Sequence, residues 1–563
     1  MEHFPWKPIT ASSALVSLLL ARYGDDKIPN LGYAATFAGS WLTQAGAVLI
    51  YAVFVYPKFL SPLIGLPEPP GGSWWNGHFG TIVKEPSGLP HRRWTSTLDH
   101  DGVIRYLGPL NQERLLVVGS KGLSEVLVTK SYQFTKPPSV RAVLVRLLGD
   151  GVLVAEGDDH KVQRKNLMPA FAFRHIKDLY PVFWRKSRDS VHALTDFIDS
   201  DSAATALADV EKAKRTAVIE VGDWGSRATL DIVGTAGLGR DFGSLRDPDN
   251  ELTKVYGKLF KPNRQAVILG LIGLFVPEWI LVRLPFRRNS DILYASNYIR
   301  NVCRDLVKEK KAKLQEKGET DVDILSVALE SGGFTDEDLV DQLMTFLAAG
   351  HETTATSMTW AIYMLAKDPE MQQRLRDEVR KNLPSMDSTQ DVTSLEIDHL
   401  PFLNAFCNEV LRYWAPVPMT LRHAAEDTTI QGIKVPKGTR IMLCSWATNF
   451  DTTQWGPDAG EFKPERWLAD PDTATTEEKH RAASGGAASN YSNMTFLHGP
   501  RSCIGQAFAK AEFACLLASW VGRFQFELKN EIDRDESQLD IKGGATARPS
   551  RGLYVHATVV EGW

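Results

Sequence analysis

Cysteine is scarce in this chain. Five occur in 563 residues, at Cys303, Cys407, Cys444, Cys503 and Cys515, with no Cys-x-x-Cys pair among them. Such spacing excludes a disulfide framework and fits a reducing compartment. It also excludes a closed zinc cluster, since His498 and Cys503 stand two ligands short of one. Net charge is scarce as well. A formal charge of −4 argues against a nucleic-acid partner, which calls for a basic surface. Internal repeats are absent, and beyond residue 72 no second linker interrupts the sequence. Between Leu31 and Tyr56 charged side chains are missing altogether.

That uncharged stretch, LGYAATFAGSWLTQAGAVLIYAVFVY, exceeds the ~20 residues that span a bilayer. Tyr33, Phe37, Tyr51, Phe54 and Tyr56 gather toward its ends, as interfacial anchors do, and Lys27 and Lys58 bracket it. A buried core helix is the alternative. The shorter apolar run Ala11 to Ala21 resembles a signal segment, but only Lys7 precedes it and no cleavage site follows. Behind the span, Leu66-Pro67-Glu68-Pro69-Pro70-Gly71-Gly72 has the composition of a stiff hinge. The expected organisation is an N-terminal segment (1–27), a transmembrane anchor (28–57), a proline-rich hinge (58–72) and one catalytic domain (73–563).

Short apolar runs with turn residues predict strands over Val103 to Val128, a hairpin over Lys434 to Ser445 and a further β region over Ile541 to Val560. Helical periodicity dominates from Asp159 onward. The fold class is therefore mainly α with small β-sheets (α+β). Asp470 to Asn493 is polar and rich in small residues, which predicts a mobile surface loop. Ala266 to Val276 (AVILGLIGLFV) is strongly apolar but too short to span a bilayer.

The densest chemical signal is Phe496-Leu497-His498-Gly499-Pro500-Arg501-Ser502-Cys503-Ile504-Gly505. A thiolate ligand needs a positive, donor-rich pocket to stay deprotonated. Gly499 and Gly505 let backbone pass close to a flat macrocycle without a Cβ clash. Arg501 suits a carboxylate on that macrocycle, and Phe496 suits a water-excluding wall near the sulfur. A free structural cysteine is the bland alternative. About 150 residues earlier, Asp341 to Ala361 forms a helical pattern containing Ala349-Gly350-His351-Glu352-Thr353-Thr354. A glycine and several hydroxyls inside an apolar helix are locally costly, by ~1 kcal/mol for the glycine alone, so a function is expected of them. Glu409 and Arg412 stand at i and i+3 between apolar flanks, and Pro464-Glu465-Arg466-Trp467 offers Arg466 as a third member.

The cysteine loop resembles the haem-binding loop of the cytochrome P450 monooxygenases, the class that ligates haem iron by a cysteine thiolate. The Ala349 to Thr354 hexapeptide is similar to that family's oxygen-activating signature, and Glu409, Arg412 and Arg466 to its structural triad. The resemblance implies haem b ligated by Cys503, with space for oxygen at Ala349 and Gly350. It implies proton delivery by Thr353 and Glu352, and propionate contacts from Arg501, Arg422 and the His160-Lys161-Val162-Gln163-Arg164 segment. There Arg164 is the main contact, and His160, also placed at the haem, stands where the family commonly has Trp.

The resemblance further implies electrons from an NADPH-cytochrome P450 reductase, since only about 60 residues follow the loop and no flavin domain is visible. Lys161, Lys165, Arg174 and Lys177 are candidates for its docking face. It implies oxygen insertion into a hydrophobic small molecule held by the Tyr132 to Val154 segment, the Phe346 turn, Val417 to Leu421 and the turn near Ala545. It also implies a single-pass protein in contact with membrane lipid at the endoplasmic reticulum, its catalytic domain cytosolic. The loop and the long polar insertion look most like filamentous-fungal enzymes that tailor terpenoids, polyketides or alkaloids. The competing functions are a haem-thiolate enzyme that desaturates, dehydrates or rearranges its substrate, and a non-catalytic haem sensor.

Overall fold

The computed structural model describes residues 5–23, 32–206, 215–260, 265, 268–269, 272–273, 276, 278–317, 322–470, 472–543 and 545–563. Most of Ala266 to Val276 lies outside the described residues.

The body is built around one helix, Asp336–Lys367, about 48 Å long at 1.5 Å per residue. Its start is fixed by a capping box. The Thr335 hydroxyl accepts the Asp338 N–H at 3.2 Å, and the Asp338 carboxylate accepts the Thr335 N–H at 2.9 Å. Asp336, Glu337 and Asp338 occupy its first turn and Lys367 its last, as the helix dipole favours. Asp368 ends it and caps the next helix, Pro369–Asn382. Beyond its first turn the central helix is buried on most of its circumference, as its apolar composition demands. The helices Val221–Ile232, Arg287–Lys317 and Gln506–Arg523 pack around it.

Among the described residues four small sheets flank this bundle, so the expected fold class holds. The largest has the order β1-β2-β8-β5-β3, from β1 (Val103–Leu107), β2 (Glu113–Val117), β3 (Phe134–Thr135), β5 (Met419–Ala424) and β8 (Arg440–Cys444). Strands β4 (Thr216–Glu220), β12 (Tyr554–Val559) and β9 (Phe524–Leu528) form a second, antiparallel sheet. Two ribbons pair β6 (Thr428–Ile430) with β7 (Ile433–Val435), and β10 (Ile541–Gly543) with β11 (Ala547–Pro549).

Two local expectations change. The run Lys434 to Ser445 is not a hairpin: β7 pairs back onto β6, while β8 pairs antiparallel to β5 and parallel to β2. Residues 472–493 carry ordered structure. Helix Thr476–Ala483 has its own capping box from Thr475 and Glu478, Gly485 seats against the Trp467 ring, and Ser492 is fully buried. Composition suggested solvent; capping chemistry and one aromatic contact were enough to fold the segment.

At the N-terminus, Gly32–Leu60 is a helix long and apolar enough to cross a membrane, and little of it is buried. Pro57 removes a helical donor, and the last turns, Tyr51–Leu60, are correspondingly wider. The preceding helix, Trp6–Tyr23, packs on it through polar contacts. The Gln44 amide donates to Ser13 at 3.1 Å, the Trp41 indole donates to Thr10 at 3.2 Å, and Trp6 stacks on Trp41.

The end of this helix and the proline-rich stretch are bound to the body. Arg105 donates to the Pro57 carbonyl and to Glu68. Asn111 donates to Val53 O at 2.9 Å, the Arg105 N–H donates to Pro67 O at 2.9 Å, and Phe54 stacks on Trp74. Arg105 and Asn111 are buried, so losing these acceptors leaves polar groups unsatisfied at about 1–3 kcal/mol each. Deleting residues 1–50 should leave the thermal midpoint of the body unchanged, whereas deleting 1–60 should lower it by several degrees. Differential scanning calorimetry of the two truncations distinguishes them.

Candidate active site

The cysteine loop is shaped by its own backbone bonds. The Cys503 N–H donates to Phe496 O at 2.8 Å, and the Ser502 N–H donates to Gly499 O at 3.0 Å. Gly499 sits at φ +73°, where a Cβ would lie 2.2 Å from the Leu127 carbonyl oxygen, so only glycine fits. Gly505 differs. Its backbone is ordinary for any residue, and a Cβ there would meet only Phe171, at 3.7 Å. The protein alone does not require Gly505; close approach of a bound group is the remaining reason for it.

The loop is held from behind by the buried charge cluster. Arg412 meets Glu409 in a fork, Nε to Oε2 at 2.9 Å and Nη2 to Oε1 at 2.7 Å, with both side chains fully buried. Its remaining protons go to the Asn449, Ala459 and Glu461 carbonyls at 2.7–2.8 Å. Arg466 joins at 3.1 Å, and the Trp467 indole and Lys463 N–H complete the carboxylate's partners. A buried ion pair is tolerated when satisfied this fully. Sequence reasoning missed Asn449, which transmits the cluster to the loop. Its amide donates to Arg412 O and to Thr495, and its oxygen accepts the Met494 N–H at 2.8 Å.

Cys503 is accessible although protein surrounds it closely, so it faces an internal space. Burial pushes its thiol up; the Gly505 N–H and the Arg164 guanidinium pull the other way. The facing wall belongs to the central helix. Between Gln342 and Ala366 every residue is buried except Phe346, Ala349, Gly350 and Thr353. That spacing is one helical stripe. Phe171 joins the two walls, lying edge-on to Phe346 at 5.3 Å and beside Gly505. Residues 148–156 join them too: Thr345 donates to Leu148 O and Gln342 accepts the Val152 N–H, while Arg501 donates to Ala155 O and Glu156.

Three consecutive residues of the central helix point in three directions. The Thr353 hydroxyl faces the cavity and donates to Ala349 O at 2.8 Å. Glu352 points away from it, accepting from Thr546 at 3.1 Å with Arg548 at 3.5 Å. Thr354 turns to Glu512 on the helix after Cys503, at 3.0 Å. Thr546, Arg548 and Glu512 carried no sequence signal of their own. Gly350 has a packing reason as well: a Cβ there would press on Val233 at 2.9 Å. Ala349 is the residue of that pair that opens onto the cavity.

A cationic cluster lies beside the loop. Lys136, His160, Arg164, Arg422 and Arg501 are near enough for each basic neighbour to depress His160, which burial has already lowered, to about 3. Burial and then Arg422 lower Lys136 to about 7, and burial with Arg501 lowers Arg422 to about 10. The carboxylate among them is Glu156, 3.6 Å from Lys136 and paired with Arg501. Lys136 and Glu156 were not anticipated. Arg164 is engaged at the loop itself, donating to Ser502 O at 2.7 Å and Ser502 Oγ at 3.1 Å. His160 is buried and bonded to Tyr132 at 3.1 Å. The Arg501 Nε has no protein partner.

These features fit a haem: an accessible thiol, a glycine that only close approach explains, and buried positive charge that one carboxylate leaves uncompensated. Two propionates would balance that charge.

A family model described as Cytochrome P450 matches residues 67–554. The chain is 45% identical over 535 residues to cytochrome P450 monooxygenase sphH of Aspergillus fumigatus, covering 94% of each chain. It is 41% identical to cytochrome P450 monooxygenase ALT8 of Alternaria alternata, over 98% of this chain and 99% of that one. It is 44% identical to cytochrome P450 monooxygenase FUM15 of Gibberella moniliformis, over 90% of each.

Gly499→Ala should abolish haem uptake by displacing the loop, with a lowered melting temperature of the haem-free protein. Gly505→Ala should leave that melting temperature unchanged and still weaken haem binding. Calorimetry and haem titration on the two variants make the comparison.

Proposed function

The chain belongs to the cytochrome P450 family, and from that membership we propose how its residues divide the work. It is a haem-thiolate monooxygenase with haem b as cofactor. When bound, the haem supplies the activation of dioxygen, one atom of which enters the substrate while the other leaves as water.

Cys503 is the residue that ligates the iron. Arg501, Arg422 and Lys136 neutralise the propionates; His160, held neutral by its cationic neighbours, adds no charge to that edge. Arg164 braces the loop through Ser502. Ala349 leaves room on the cavity face of the central helix, and the Thr353 hydroxyl holds the water that delivers protons there. Glu352 brings protons from the side of Thr546 and Arg548. The observation that carries this reading is the accessible thiol of Cys503 opposite the bare stripe Phe346, Ala349, Thr353 in an otherwise buried helix.

A monooxygenase of this family needs a redox partner and takes a hydrophobic substrate. The finer assignments are ours. The donor is an NADPH-cytochrome P450 reductase that docks on the face carrying Lys161, Lys165 and Arg174, all exposed. Phe346, Met419 and Leu421, each partly accessible, guide an apolar substrate toward the iron. The setting is secondary metabolism, of terpenoids, polyketides or alkaloids. The helix Gly32–Leu60 holds the protein in contact with lipid at the endoplasmic reticulum membrane, the body on the cytosolic side.

Reconstituted with reductase, NADPH and labelled dioxygen, the enzyme should place one labelled atom in each hydroxylated product. Product without label would assign a rearrangement or dehydration instead, and no turnover of any bound compound would assign a sensor. Thr353→Ala should consume NADPH at a similar rate but divert most of it to peroxide. Cys503→Ser should lose the thiolate signature in the spectrum of the reduced carbon monoxide complex.

A further inference from the structure

Glu512 is a fully buried carboxyl for which the mechanism above has no use. It lies on the helix Gln506–Arg523, nine residues after Cys503. Its Oε2 is 3.0 Å from the Thr354 hydroxyl of the central helix, and its Oε1 has no protein partner. No lysine, arginine or histidine forms an ion pair with it among the described residues; its ionisable neighbour is the buried thiol of Cys515 on the same helix.

Counting protons settles the direction of the bond. The Thr354 hydroxyl is 3.2 Å from Gly350 O and 3.0 Å from Glu512 Oε2. It has one proton and two candidate acceptors. An ionised Glu512 would be an acceptor only, leaving one of these contacts unbonded and an unpaired anion in the core. A protonated Glu512 satisfies both. Its O–H donates to Thr354 Oγ1, and the Thr354 O–H donates to Gly350 O.

We propose that Glu512 is a positioning residue, a neutral carboxylic acid that bonds the helix following the cysteine loop to the oxygen-facing turn and so fixes the placement of Ala349 and Thr353 on the cavity face. The chain runs Glu512 to Thr354 to the Gly350 carbonyl, and it ties together the two walls between which the haem is read to lie. The inference rests on the assignment of Ala349 and Thr353 to the cavity face.

Glu512→Gln preserves a neutral donor of the same shape, with the amide N–H replacing the acid O–H. It should keep product per NADPH within about twofold of the parent. Glu512→Val and Thr354→Val should each raise peroxide per NADPH about tenfold, the scale of one lost hydrogen bond, and the double variant should be no worse than either. If Glu512→Val does not fold, Thr354→Val alone carries the comparison.

Two readouts need no turnover. A carbonyl stretch of a protonated carboxyl should appear in the infrared spectrum at neutral pH and vanish in Glu512→Gln. The second readout is stability against pH. Burial pushes the Glu512 carboxyl well above the usual range, so above that range the folded state holds a proton that the unfolded state has released. Stability then falls as pH rises, and the advantage of Glu512→Gln over the parent should grow from pH 5 to pH 8. Parent-like coupling in Thr354→Val, or a Gln variant as uncoupled as Val, overturns the proposal. If Thr353→Ala were fully coupled while the infrared band was present, the reading of the cavity face would fail and the protonation state of Glu512 would stand.

Discussion

Cys503 sits where burial disfavours the charge that its role requires. Its neighbourhood offers the sulfur one backbone N–H and one guanidinium, and against desolvation these are too little to hold an anion unaided. A metal ion would have to supply the rest, since coordination deprotonates a thiol outright. On the proposed reading the loop presents sulfur at a fixed place, and a bound iron would displace its proton. Fixing that place falls to elements far from it. A left-handed glycine touches the Leu127 carbonyl, Asn449 reaches the residues just before the loop, and behind Asn449 lies the sealed Glu409–Arg412 fork.

The central helix solves the opposite problem. Its residues must expose a narrow stripe while burying everything else, and Glu352, Thr353 and Thr354 do so by leaving the helix at successive angles of about 100°. Each meets a different element: the Thr546 to Arg548 hairpin, the cavity, and the helix after Cys503. The turn that carries Ala349 and Thr353 is consequently clamped on both flanks. A glycine at position 350 adds a third restraint by letting Val233 approach the backbone.

Motifs whose function depends on neighbours in sequence were readable from it. The cysteine loop, the Ala349 to Thr354 hexapeptide and the Glu409, Arg412, Arg466 set all occupy short windows with fixed spacing, and the geometry brings each set together. What escaped detection is held by long-range pairing. Lys136 and Glu156 look like solvated charges until folding buries the first and half-buries the second beside Arg422 and Arg501. Glu512 looks like any helix-surface acid. Strand pairing escaped for the same reason: β7 and β8 are separated by a hairpin-like turn, yet each finds its partner elsewhere. The polar stretch after Asp470 shows the reverse error, in which composition concealed a capped helix.

The seam between the first helices and the body has a mechanical meaning. Arg105 and Asn111 grip carbonyls at Val53 and Pro57, inside the wide turns of the helix itself. A lever clasped at that point cannot swivel independently of β1. Any tilt imposed on the N-terminal rod by its surroundings is passed to the sheet as a torque, so a rod seated in lipid, as proposed above, would set the body's angle by its own inclination.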